Sequence, residues 1–189
     1  MRHPCAVVPE SKLVRTEHGV TPTGEGWFVV NARDSQWWER PGRGFLCEFE
    51  GAGVENSNDF AQLGINLTVL RPGEPMSVYH WEADQEDFLV LVGDALLIVE
   101  GEERPLRRWD FVHCPAGAKH TILGAGDAPC VVVAVGARGQ STGEDWGAYP
   151  VDEAATRHDA GVDEETTRPR EAYTRFGESR LTSYGGWLD

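Results

Sequence analysis

No apolar run in the 189-residue sequence approaches the roughly 20 residues that a helix needs to cross a bilayer. The opening, MRHPCAVVPESK, has a short apolar run and an early proline, and shows no secretory signal pattern. Cysteine is scarce. Cys5, Cys47, Cys114 and Cys130 make no Cys-x-x-Cys pair, which argues against a structural zinc knot. These absences together predict a cytoplasmic protein with reduced thiols. Basic charge is also in short supply, with 17 Lys and Arg against 31 Asp and Glu, a formal net charge of −14. Such a surface repels phosphate backbones and anionic headgroups, so neither nucleic acid nor membrane is expected as a partner. There is no phosphate-cradling glycine loop, no Gly-x-Ser-x-Gly elbow and no dinucleotide fingerprint. Internal repeats and low-complexity segments are missing too.

What is present suits one β-rich domain with appendages. The length, a 40% apolar fraction and seven Trp are enough for a core, and 22 Gly with 11 Pro imply many turns. Residues 1–43 read as an N-terminal arm: Gly26–Asn31 has the composition of one strand, and Ala32–Glu39 that of a short helical turn. Trp37 and Trp38 are expected to cover a barrel mouth or a subunit contact. Residues 44–138 carry short strands between Gly/Pro turns, among them Phe45–Glu50, Ile65–Val69, Phe88–Val92, Ala95–Val99, Phe111–Cys114, Thr121–Leu123 and Cys130–Val135. Gly93-Asp94 has the spacing of a tight hairpin, and EGEERP reads as a turn-rich link. Without helical periodicity between the strands, the pattern indicates an all-β antiparallel barrel or sandwich. Residues 139–189 hold 11 Asp and Glu and five Arg, with short helical turns expected at 152–158 and 170–176. Its aromatics, from Trp146 to Trp187, predict an arm packed on the barrel or on a neighbouring subunit, and with it a homodimer.

The chemistry is concentrated between Arg71 and Gly124. His80 and Glu82 share one face of an extended segment, while Tyr79 and Trp81 take the other. Glu86 follows on the same parity after a turn. A Pro-x-Gly turn at Pro115–Gly117 then places His120 at the start of a later strand. Inside a barrel His80, Glu82, Glu86 and His120 can meet. Two neutral imidazoles and two carboxylates suit one divalent ion and leave positions for water or substrate. The oxygen-rich set leans toward Fe or Mn, with Zn and Ni also compatible. Other candidates are secondary: Cys114 as a nearby thiol or an inert buried one, His113 as an outward residue, Gln85 as a turn residue. Arg71, Arg104, Arg107 and Arg108 read as surface residues with some capacity for a carboxylated substrate. His3, His18 and His158 have no motif context.

This segment resembles the cupin superfamily, small double-stranded β-helix (jelly-roll-like) barrels with a Gly…His-x-His…Glu…Gly motif followed by Pro-x-Gly-x-x-His. Gly73, His80, Glu86 and Gly93 fit the first motif, with Glu82 where the second His is expected; Pro115, Gly117 and His120 fit the second. Trp109 replaces the glycine usual ahead of that proline, and Gly124 the asparagine usual after the histidine. A shifted register would instead put Tyr79 and Trp81 at the histidine positions; the first register keeps the ionisable pair facing the site. The resemblance covers roughly residues 63–137. It implies a metalloprotein acting on a small organic molecule by oxygenase- or isomerase-type chemistry, with His80, Glu86 and His120 as ligands. Glu82 would be a fourth ligand or a general base. A non-catalytic small-molecule binder and a metal-free structural barrel are the alternatives.

Overall fold

The computed structural model describes residues 7–139 and 146–187, so His3 and Cys5 lie outside the described residues. The N-terminal third contributes Lys12–Thr16 (β1), Gly19–Thr23 (β2), Trp37–Glu39 (β3) and Phe45–Cys47 (β4). The centre contributes Leu63–Leu70 (β5), Trp81–Glu82 (β6), Glu86–Val92 (β7), Asp94–Val99 (β8), Glu102–Leu106 (β9), Phe111–Cys114 (β10), His120–Ala125 (β11) and Cys130–Ala137 (β12). After them come Gly147–Ala148 (β13), the helices Glu153–Arg157 (α1) and Pro169–Ala172 (α2), and Arg180–Thr182 (β14).

The molecule is mostly β, as its sequence implies, and takes a jelly-roll arrangement of two facing sheets. One has seven antiparallel strands in the order β10-β7-β12-β5-β4-β3-β14; the other has three, β11-β8-β9. The chain before β6 extends the smaller sheet through bridges from Pro72, Pro75 and His80 to Gly124, Leu123 and His120. Alternation fills the space between the sheets. Phe88 and Val90, Val132 and Ala134, Leu97 and Ile122 are buried in one cluster with Leu70, Val112 and Cys114. The first and last thirds of the chain are built into this frame, since β3 and β14 are strands of the large sheet. Its outer face packs Trp37, Cys47 and Val69 against Tyr184 and Trp187. Tyr79 is buried outside the barrel, between Ile98 and Leu123 and the α1 alanines Ala154 and Ala155.

Four local expectations fail, each for a backbone reason. Gly93-Asp94 joins no hairpin: β7 pairs with β10 and β12, whereas β8 pairs with β11 and β9. Gly93 has φ +71°, and a Cβ there would stand 2.9 Å from the Pro129 carbonyl oxygen, so the chain turns here from one sheet to the other. The tight hairpin is β8–β9, turned at Glu100-Gly101 with φ +49° and +79°, the two positive values such a turn requires. The supposed link EGEERP is therefore mostly strand β9. Gly26–Asn31 forms no strand; its ladder contact is a single bridge from Trp27 to Glu10, made through hydrogen bonds with Pro9 and Ser11. Trp37 and Trp38 lie in β3 rather than in a helical turn, because Leu46 and Leu181 offer the Trp38 backbone partners on both sides.

Candidate metal centre

The site sits at one end of the space between the sheets. His80 and His120 form a bridge in which each backbone N–H donates to the other's carbonyl, at 3.1 and 2.8 Å. Residues paired in this way project their side chains to the same side, and the ring centroids are 5.0 Å apart. Glu86 comes from the opposite sheet, at the start of β7 and on the inward parity of Phe88 and Val90. Its Oε2 is 3.4 Å from His80 Nε2 and 3.1 Å from His120 Nε2. One donor atom from each of His80, Glu86 and His120 falls within 4.8 Å of the others. Glu82 lies beside this cluster rather than in it, with Oε1 3.5 Å from His80 Nε2.

The backbone orients both imidazoles. His80 Nδ1 is 2.8 Å from the Val78 carbonyl and His120 Nδ1 is 3.0 Å from the Ala118 carbonyl. A carbonyl only accepts, so each Nδ1 carries its hydrogen and a neutral ring presents the Nε2 lone pair. Two such lone pairs then face a carboxylate oxygen, which is repulsive unless a positive charge lies among them. The geometry records the mismatch: His120 Nε2 and Glu86 Oε2 are buried, close, and without a hydrogen-bond partner. Orientation of a ligating histidine through its other nitrogen is the usual support of a metal site. The residues present therefore fit a divalent cation.

The proton affinities express the same demand for positive charge. Burial lowers the pKa of His80, but Glu82 and Glu86 overcome it and push it up to about 10. His120 is pushed up to about 9, against burial, by the neighbouring Cys114 and Glu86. Burial raises Glu86, yet both histidines hold it well below the usual carboxylate range.

A cavity of about 200 Å³ opens from this cluster, lined by His80, Glu82 and Glu86 together with Arg40, Arg43, Tyr149 and Tyr173. Taking a water's share as about 30 Å³, it has room for about seven waters or one compact organic molecule. Tyr149 packs its ring 5.9 Å from that of His80 and meets Tyr173 edge-on at 5.7 Å. Burial raises the pKa of both phenols, which keeps them protonated. Tyr173 also accepts a hydrogen bond from the Val78 amide at 3.2 Å, tying α2 to the segment that carries His80.

The remaining candidates fall elsewhere. Cys114 is buried in the core cluster between the sheets, where it helps to raise the pKa of the nearby His120. His113 is exposed and paired with Asp87 at 2.7 Å, and Gln85 also binds Asp87. Arg71 pairs with Glu74, Arg104 with Glu102, and Arg108 lies over Trp109; with Arg107 they stay on the surface. His18 and His158 sit beside Glu17 and Glu103. Arg40, Arg43, Tyr149 and Tyr173 were not anticipated. Arg43 stands in a Pro41-Gly42-Arg43-Gly44 stretch that by itself signals only a turn, and the tyrosines are two of the aromatics in an acidic arm.

The cupin-domain family model matches residues 66–136. Among solved structures, a putative sugar phosphate isomerase from Acidithiobacillus ferrooxidans is 32% identical over 41% of this chain and 51% of its own, with a TM-score of 0.39. A sugar phosphate isomerase from a cupin superfamily, from Silicibacter pomeroyi, is 33% identical over 42% and 52%, also at 0.39. A double-stranded β-helix protein from Klebsiella pneumoniae is 20% identical over 49% and 78%, at 0.41. The chain thus spans about half the length of the first two. No curated protein sequence matches.

Proposed function

We infer that this chain, whose residues 66–136 form a cupin domain, holds one divalent metal ion through His80, Glu86 and His120 and acts on a small organic substrate in the adjoining cavity. The observation that carries this reading is the pair of Nε2 atoms, freed by their backbone-bound Nδ1 atoms and aimed with Glu86 Oε2 at one point. Fe, Mn, Zn or Ni would each suit the donor set, and a bound ion would polarise a carbonyl or hydroxyl oxygen of the substrate.

Glu82 is the reacting group the chain itself supplies. It borders the cavity, its side chain is 23% exposed, and it stands outside the ligand cluster. A carboxylate so placed takes a proton from a substrate carbon or hydroxyl and returns it elsewhere, which is isomerase-type rather than oxygenase-type chemistry. Tyr149 and Tyr173, as protonated phenols, orient polar groups without competing for that proton.

Elemental analysis of protein grown in metal-replete medium tests the metal. About one ion per chain is expected, falling at least tenfold in His120→Ala; low content in the wild type, unchanged by the substitution, overturns the reading. Proton transfer is read separately, by deuterium uptake from heavy water into small hydroxy- and keto-compounds, detected by NMR. Uptake in the wild type that falls 100-fold or more in Glu82→Gln is expected for a general base. Equal uptake in both proteins removes Glu82 from that role.

A further inference from the structure

The chain has 31 acidic residues, yet among the described residues none makes an ion pair with Arg40 or Arg43, two guanidiniums that line the cavity. Arg40 is 8% exposed, at the end of β3. One of its terminal nitrogens donates to the Met76 carbonyl at 3.3 Å and the other to the Arg43 carbonyl at 3.1 Å, leaving its Nε buried without a partner. Arg43 lies with its guanidinium carbon 4.4 Å from the Tyr173 ring centroid and 5.4 Å from that of Phe176, and its Nε too is buried without a partner. The nearby carboxylates are committed elsewhere: Glu48 accepts from Trp38 Nε1, and Glu74 from the Arg71 amide. Among the described residues neither guanidinium is in an ion pair.

A buried cation beside a half-buried one is costly unless an anion joins them. The cost shows in Arg40, whose pKa is lowered to about 10 by burial and by the charge of Arg43. Carbonyls and aromatic faces hold the two forks in place, which suits recognition of an oxyanion more than a structural role.

We propose that Arg40 and Arg43 form an oxyanion subsite in the cavity that His80 and Glu86 also line, fitted to the carboxylate or phosphate group of a small substrate. This rests on the reading of the cavity as a substrate site, and it narrows the substrate to an organic acid or a phosphate ester. The cluster takes the reacting end; the arginines take the charged end and fix the register between them.

Calorimetric titration of the full chain with inorganic phosphate, and separately with malonate, tests the subsite. Metal-loaded and chelator-treated protein are both used, so that an anion sitting on the metal is told apart from one on the arginines. Saturable binding of at least one anion in both forms is expected, with Kd raised about tenfold or more in Arg43→Gln and Arg40→Gln. Partial recovery is expected in Arg43→Lys, which keeps the charge but not the fork. Arg40 is buried, so if its variant fails to fold, the half-buried Arg43 carries the comparison. Phosphate binding alone points to a phosphate ester, and malonate binding alone to a carboxylate. Absence of binding, binding that needs the metal, or binding unchanged in the Arg43 variant overturns the proposal. His120→Ala separates the two readings: anion binding that persists in this variant leaves the subsite standing, whatever the metal content of the wild type shows about the metal reading.

Discussion

At His80 and His120 the backbone chooses the tautomer, and that choice decides what the site requires. With both Nδ1 hydrogens given to carbonyls, only a proton on each Nε2 or a shared cation relieves the repulsion at Glu86. The two solutions respond oppositely to pH. Without metal, the folded pKa values are raised from 6.5 to about 10 for His80 and about 9 for His120. A raised value stabilises the fold fully below pH 6.5, and that contribution is lost as pH climbs through 9 and 10. Glu86, whose value is lowered, acts on the acid side and leaves this window alone. Metal, by contrast, binds the unprotonated nitrogens, so its affinity grows as pH rises. Chelator-treated protein is therefore expected to lose thermal stability steadily from pH 6.5 to about 9, while metal-loaded protein holds its midpoint. Thermal unfolding across that interval checks the sign. A metal-free midpoint that rises with pH contradicts the charge assignment.

The elements show where a glycine is needed for its backbone and where it is tolerated. Gly93 redirects the chain from β7 into β8 under two constraints, a φ of +71° and a Pro129 carbonyl 2.9 Å from any added Cβ. Gly73 has a φ of +83° but open space around it. Alanine at position 73 is expected to cost only the left-handed strain, about 1 kcal/mol, and at position 93 at least about 2 kcal/mol because the backbone of Pro129 must also yield. Chemical denaturation of both variants reads the difference, and equal losses would mean that the Pro129 contact is not binding. The motif departures find their explanation at this scale. Trp109 takes the conformation of the missing glycine, with φ +74°, at an exposed turn. Gly124 leaves room for the Arg71 carbonyl, which crosses where a Cβ would be. Much of this was legible from local pattern. The strand alternation, the shared parity of His80, Glu82 and Glu86, and the Pro-x-Gly turn before His120 are short-range signals that survive folding. Gly93-Asp94 misled because its spacing fits both a hairpin and a crossing between sheets, and only the partner strands distinguish them. Arg40, Arg43, Tyr149 and Tyr173 were illegible for a related reason. They reach the cavity by packing across more than a hundred residues of chain, and no periodicity marks them.

For the molecule as a whole, the two ends of the chain complete the container. Tyr173 and Tyr149 wall the cavity, α1 covers Tyr79, and Tyr184 with Trp187 cover Trp37. None of the described residues forms a helix long and apolar enough to cross a membrane. The aromatic arm first suggested a second subunit, but most of its rings are spent within their own chain. The better ground for a homodimer is the part of the large sheet that the arm leaves uncovered. Leu63 and Ile65 of β5 are 43% and 36% exposed, and Phe111 of β10 is 64% exposed, on the face opposite the core. Between them Leu89 and Val133 are only partly buried, and the β-ladder register sets Phe111, Leu89 and Val133 side by side across three strands. A continuous apolar row of this kind on a highly charged protein is what a self-complementary interface uses, and we propose that a second copy of the chain covers it. Each copy brings a formal charge of −14, so association works against repulsion and should strengthen with salt. Light scattering at micromolar concentration is expected to give the mass of two chains, more completely at high than at low ionic strength. Phe111→Glu, which places a carboxylate in the row without touching the core, is expected to return the monomer. A wild-type mass of one 20.9 kDa chain at both ionic strengths would exclude the dimer and leave the exposed row for some other partner.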